Sequence, residues 1–94
     1  MNGEQPLARA LALTRQMLEA ARGEDWERLI ALETERHPWV MQPLTRDEDC
    51  VRQLGELLAL DRELYALISH ARDRAGEQWQ AEHDRARAIA AYGG

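Results

Sequence analysis

The sequence predicts an all-α fold: a small antiparallel helical bundle of three helices, with a long third helix and either a C-terminal helical extension or a short fourth helix. Three observations carry this reading. Apolar residues recur at steps of three and four along most of the 94 residues, which lines them up on one face of a helix of period 3.6. The pattern breaks at Gly23 and again at Pro43, residue types that stop or bend helices. The first break leaves a hinge of only a residue or two, so helices one and two are expected to be antiparallel neighbours.

Residues 1–5 are polar, carry one Gly and show no pattern, and are expected to be disordered. Pro6 suits a first helical turn, where its missing N–H is no loss. Leu7, Ala10, Leu11, Thr14, Met17, Leu18 and Ala21 then hold the stripe of helix one. It stops at Arg22, which faces the negative end of the helix dipole, and at Gly23, which is expected to supply the left-handed cap.

Glu24 and Asp25 place negative charge at the start of helix two, and Trp26, Leu29, Ile30, Glu33, His37, Val40 and Met41 continue one face. Trp26 should pack on the end of helix one. Pro38 removes a backbone donor and biases His37 away from helical angles. The apolar spacing runs on past it, so a kink is expected there, with the helix ending near Gln42. Pro43 and Leu44 turn the chain into the next element.

Residues 47–75 read as the spine around which the rest is organised, with Val51, Leu54, Leu57/Leu58, Leu64/Tyr65, Ile68, Ala71 and Ala75 on one face. Thr45 and Glu48 have the spacing of a capping box, in which hydroxyl and carboxylate each take an orphan N–H. At 1.5 Å per residue this stretch spans roughly 43 Å, too long to be stable without partners along its length. Beyond Ala75 the pattern weakens. Gly76 is a candidate break, but Ala75, Trp79, His83, Ala86 and Ile89/Ala90 keep the register, which favours one bent helix over two. The final Ala91, Tyr92, Gly93 and Gly94 should end any helix, and residues 76–94 are expected to form a mobile C-terminal helix.

Ninety-four residues make one domain, 1–94, near the size at which a core buries only about two thirds of the unfolded chain's surface. Phe is absent and the core must be built mostly from Leu, so pairing with another chain, including a homodimer, would add stability. All twelve basic residues are Arg, and the net charge is −5. That balance argues against nucleic acid as a partner, because phosphate neutralisation needs clustered surplus base. The lone Cys50 excludes an internal disulfide. No leader and no run of eighteen apolar residues is seen, so a cytoplasmic protein without membrane insertion is expected.

Chemistry is sparse. His37, His70 and His83 lack the spacings of a metalloprotease helix or a di-metal bundle, so neither a metal nor another cofactor is expected. No phosphate loop, nucleophile elbow or Cys-x-x-Cys occurs, so catalysis is not expected. Cys50 lies in the first turn of the spine, where a helix dipole lowers a thiol pKa, but a small filler is the plainer role. Glu33 and Asp61 both fall on apolar stripes and should each meet an Arg or another donor. Trp79 and Tyr92 sit where burial is hardest, and either cap the core or mark an interaction surface.

The run Trp26-Glu27-Arg28-Leu29-Ile30-Ala31-Leu32-Glu33 resembles the second-helix signature of the FliT-like flagellar export chaperones, Trp-x-x-Leu-Ile-x-x-Glu. Leu60-Asp61-Arg62-Glu63 is similar to that family's Leu-Asp-x-Glu, and Ala91-Tyr92-Gly93 to the Ala-Tyr-Gly after its last helix. The resemblance implies a small helical cytoplasmic chaperone that binds the flagellar filament-cap protein and delivers it to the type III export apparatus. In some members it also implies binding of the export ATPase and restraint of the flagellar master regulator. It implies a client groove lined by Leu64, Ile68, Ala71 and Ala75, covered by a C-terminal gate holding Trp79, Ile89 and Tyr92. The competing expectation is a helical adaptor or dimerisation module without chaperone activity.

Overall fold

The computed structural model describes residues 5–93. Three helices follow in order, α1 (Pro6–Arg22), α2 (Trp26–Val40) and α3 (Glu48–Gly93), with no strand among the described residues. There is no separate fourth helix: α3 runs through Gly76 without a break, and on through Ala91 and Tyr92, where a stop was expected. The expectation of disorder falls on residues 1–4, outside the described residues, and on Gln5, which is extended at the N-cap of α1.

The turn between α1 and α2 differs by one residue from the sequence reading. Gly23 has φ −86°, and the left-handed residue is Glu24, at φ 56°. The Asp25 N–H donates to the Ala20 carbonyl at 2.8 Å and the Glu24 N–H to Ala21 at 3.1 Å, the paired bonds of a Schellman ending with Glu24 at its left-handed position. Asp25 then caps α2, its carboxylate accepting from the Arg28 N–H at 3.2 Å.

Helix α2 continues through Pro38 and ends at Val40, two residues short of the expected end. The start of α3 is also capped differently. Asp47 replaces the Thr45–Glu48 box: its Oδ1 accepts from the Cys50 N–H at 2.8 Å, and its Oδ2 accepts from the Thr45 hydroxyl at 2.6 Å. A residue three before the N–H it caps has the better reach, so Asp47 takes the bond and Thr45 orients the carboxylate.

The central element is α1, not the long third helix. Nine of its 17 residues are buried, including Leu13 and Ala20 outside the expected stripe. It is covered on two sides, by α2 and by the first half of α3. Arg15 pairs with Glu56 and Arg22 with Glu63, both 41 residues apart, so α1 and α3 run in the same direction. The short Gly23–Asp25 turn sends α2 back along α1, where Arg9 meets Glu35 at 2.8 Å. One core cluster packs Leu13, Met17, Leu18, Ala20 and Ala21 on Leu29, Leu32 and Leu64. A second packs Leu7, Ala10 and Leu11 on Leu57.

A helix with two partners needs apolar groups around most of its girth, which explains why α1 is broad and the faces on α2 and α3 are narrow. Several residues assigned to those faces lie outside them. On α2, Ile30, Glu33, His37 and Met41 are exposed, and the buried positions are Leu29 and Leu32. On α3, Val51, Leu58, Tyr65 and Ala75 are exposed, while Leu54, Ile68 and Ala71 are half-buried. The molecule measures 72 × 21 × 20 Å. Its long dimension is α3 itself, since 46 residues at 1.5 Å each make about 69 Å.

Candidate partner-binding surface

The residues expected to form a groove and its gate fall into three environments. Leu64 is buried beneath α1, Ile68 and Ala71 are half-buried at the edge of the same contact, and Ala75 lies beyond it. Trp79, Ile89 and Tyr92 stand further along, 61%, 64% and 93% exposed. Every residue from Arg72 to Tyr92 is exposed, so this part of α3 extends into water and does not fold over Leu64 and Ile68.

Among the described residues no Cα of α2 lies within 8 Å of one in α3. The two helices sit on neighbouring sides of α1 and share its core, where Leu29 and Leu32 of α2 cluster with Leu64 of α3. A polar side chain also links them. The Arg36 Nη1 donates to Asp61 Oδ1 at 2.7 Å and to the Thr14 hydroxyl at 3.1 Å, while Thr14 itself donates to the Ala10 carbonyl at 2.7 Å. This chain touches all three helices. The Arg36 side chain is only 16% exposed, so the cation is screened from water and held by two acceptors, as a part-buried charge requires.

That bridge marks the seam between α2 and α3. Leu58 and Tyr65 are the i−3 and i+4 neighbours of Asp61, so they border the seam on the α3 side. Glu33 is the i−3 neighbour of Arg36 and, with Ile30, Thr34 and His37, lines a shallow hollow on α2. The two acids that looked alike in sequence therefore differ. Asp61 meets its arginine, and Glu33 is exposed on the outer side of α2.

Sequence reasoning missed the second apolar line on α3. Val51, Leu58 and Tyr65 are spaced by seven and are 63%, 53% and 70% exposed; two further steps of seven reach Arg72 and Trp79. Residues seven apart share one edge of a helix, so Val51, Leu58 and Tyr65 form a single exposed line. The signal was present, but steps of three and four merged this line with the true core line at Leu57 and Leu64. Near the start of α3, Pro6, Leu7, Pro43, Leu44 and Cys50 help to line a cavity of about 220 Å³. Beside it the Thr45 hydroxyl, then the Cys50 N–H, hold the Asp47 carboxyl below its ordinary pKa. Cys50 is a half-buried free thiol. No described helix is both long and apolar enough to cross a membrane.

The described residues are all helical or connecting turns, and Val51, Leu58, Tyr65, Trp79, Ile89 and Tyr92 are exposed along α3. The family model for the flagellar protein FliT matches residues 4–94, and the chain belongs to that family. No curated protein and no solved structure matches it.

Proposed function

We propose that this protein is a cytoplasmic export chaperone of the flagellar type III system, holding the filament-cap protein unassembled and delivering it to the export apparatus. The observation that carries the reading is the uncovered apolar line Val51–Leu58–Tyr65 on α3, in a chain of the FliT family. A client helix laid there would bury its apolar face against Leu58, Tyr65 and Ile68. The export ATPase and the flagellar master regulator are further partners of the same kind of surface.

Residues 76–93 serve as the gate in this proposal. They pack on neither α1 nor α2 in the extended arrangement, so closure requires a bend, and Gly76 is the weakest point of the helix because glycine costs about 1 kcal/mol relative to Ala in a helix interior. A Cβ at Gly76 would meet nothing within 4 Å. Gly76→Ala should therefore stiffen the helix without a clash and hold the gate open.

Calorimetric titration with the C-terminal segment of the filament-cap protein from the same genome tests the proposal. Saturable one-to-one binding with a negative heat-capacity change is expected, the mark of apolar burial. Tyr65→Glu should abolish it and Gly76→Ala should tighten it. Absence of binding by both the full chain and a chain ending at Ala75 would overturn the chaperone role and leave the helical adaptor.

A further inference from the structure

The cavity at the end of the bundle where α1 and α3 begin has a chemistry of its own. Three separate pieces of chain enclose it: Pro6 and Leu7 from the first turn of α1, Pro43 and Leu44 from the connection between α2 and α3, and Cys50 from the first turn of α3. Leu7 is 5% exposed and belongs to the second core cluster, against which Cys50 also packs. The inner wall is therefore continuous with the core. Leu44 is 48% exposed, a large apolar side chain that the rest of the chain leaves half uncovered. The volume of about 220 Å³ exceeds that of an apolar cavity of about 150 Å³ that holds benzene. A six-membered ring with a short arm fits.

The charge of the occupant follows from the lining. Asp47 is the only charged residue on it. The Asp47 carboxylate accepts from two neutral donors, the Thr45 hydroxyl at 2.6 Å and the Cys50 N–H at 2.8 Å. Among the described residues it belongs to no ion pair. The negative charge is thus held in place without being neutralised. Around it residues 46–49 carry one positive and three negative charges, and the next cation, Arg52, is taken up by Asp49 at 3.1 Å. An anion is repelled here and a cation is drawn in. Apolar walls beside one oriented carboxylate are complementary to an apolar ring that carries an ammonium group, the ring supplying buried area and the ammonium a charge-assisted hydrogen bond.

We infer that this cavity binds a small organic cation, a protonated amine on a short arm from an apolar ring, with the ammonium at Asp47 and the ring between Leu7 and Leu44. The site shares no residue with the α3 line proposed for the client, and it does not depend on the export role.

Titration of the full chain with phenethylamine, followed by amide shifts in NMR, tests this. Neutral phenethyl alcohol and anionic phenylacetate carry the same ring and serve as controls. Saturable shifts centred on Leu7, Leu44 and Cys50 are expected, with the amine at least about tenfold tighter than the alcohol because a hydrogen bond to a charged group is the stronger kind. Cys50 is the only cysteine, so the amine should also slow its alkylation by iodoacetamide. Asp47→Asn keeps the size and the helix-capping oxygen. It should remove the preference for the amine and leave the affinity for the alcohol unchanged, with helicity by circular dichroism as the check on folding. Leu44→Ser should weaken amine and alcohol alike. Shifts that never saturate would overturn the inference, as would an alcohol or phenylacetate that binds as tightly as the amine, or a preference that survives Asp47→Asn. A phenylalanyl-glycyl-glycine peptide that binds more than about tenfold tighter than the amine would also overturn it, by assigning the cavity to the end of a protein chain.

Discussion

Two residues show how much a local rule depends on its exact position. Glu24 holds a left-handed conformation at φ 56°, which an L-residue with a Cβ adopts at a cost of roughly 1–2 kcal/mol. Its carboxylate also pairs with Arg74 at 2.8 Å, but both side chains are more than half exposed and such a pair contributes only about 0–1 kcal/mol. Glu24→Gly should therefore stabilise the protein by about 0.5–1 kcal/mol, read as a higher urea midpoint at unchanged slope. Arg36 is the opposite case. Arg36→Leu removes its bonds to Asp61 and Thr14, and should cost about 1–3 kcal/mol because a hydrogen-bonded charge is lost from a part-buried site. Arg15→Ala, which breaks only the exposed pair with Glu56, should change stability by less than about 0.5 kcal/mol. Equal losses for the two variants would show that the Arg36 bridge is no more than a surface ion pair. The Arg36–Asp61 contact was half legible in sequence: a carboxylate on an apolar stripe asked for a partner, but which of the arginines supplied it depended on the placement of α2.

At the scale of the element, the start of α3 has a pH dependence of definite sign. The Thr45 hydroxyl is the largest cause of the lowered Asp47 pKa, followed by the Cys50 N–H. Because the folded value lies below the unfolded one, the cap's contribution is complete above the ordinary carboxylate range. It is lost as pH falls through the lowered folded value. In an NMR titration the Cys50 amide should follow Asp47 ionisation, and Thr45→Ala should move that titration to higher pH. An unmoved titration would mean that the hydroxyl does not set the carboxylate's state. Helix existence was legible because periodicity and stop signals coincide at α1, α2 and the first half of α3. Helix ends were less so. Helix α2 continues past Pro38, as the apolar spacing required, but ends at Val40, two residues early, and Tyr92 and Gly93 looked like a stop, yet α3 includes both.

For the whole molecule the tail decides the shape. The radius of gyration is 19.7 Å, against about 12 Å for a compact domain of this length. Residues 76–93 add nothing to either core cluster. A chain ending at Ala75 should therefore unfold within about 0.5 kcal/mol of the full chain, with a markedly smaller radius in X-ray scattering. A large loss of stability on truncation would show that the tail packs on the body in solution.

The sequence by itself determined the helical class, the number of helices before the tail, the antiparallel turn after Arg22 and the family, because these rest on local periodicity, caps and short motifs. Tertiary structure alone decided which helix is central. Any of three amphipathic helices could have taken that place. The choice fell on α1 because only its apolar surface is wide enough to serve two neighbours, and that left Val51, Leu58 and Tyr65 on the outside. The same packing decided what became of Glu33 and Asp61, identical in pattern and opposite in fate, since a stripe read along one helix does not say which edge its neighbour will cover.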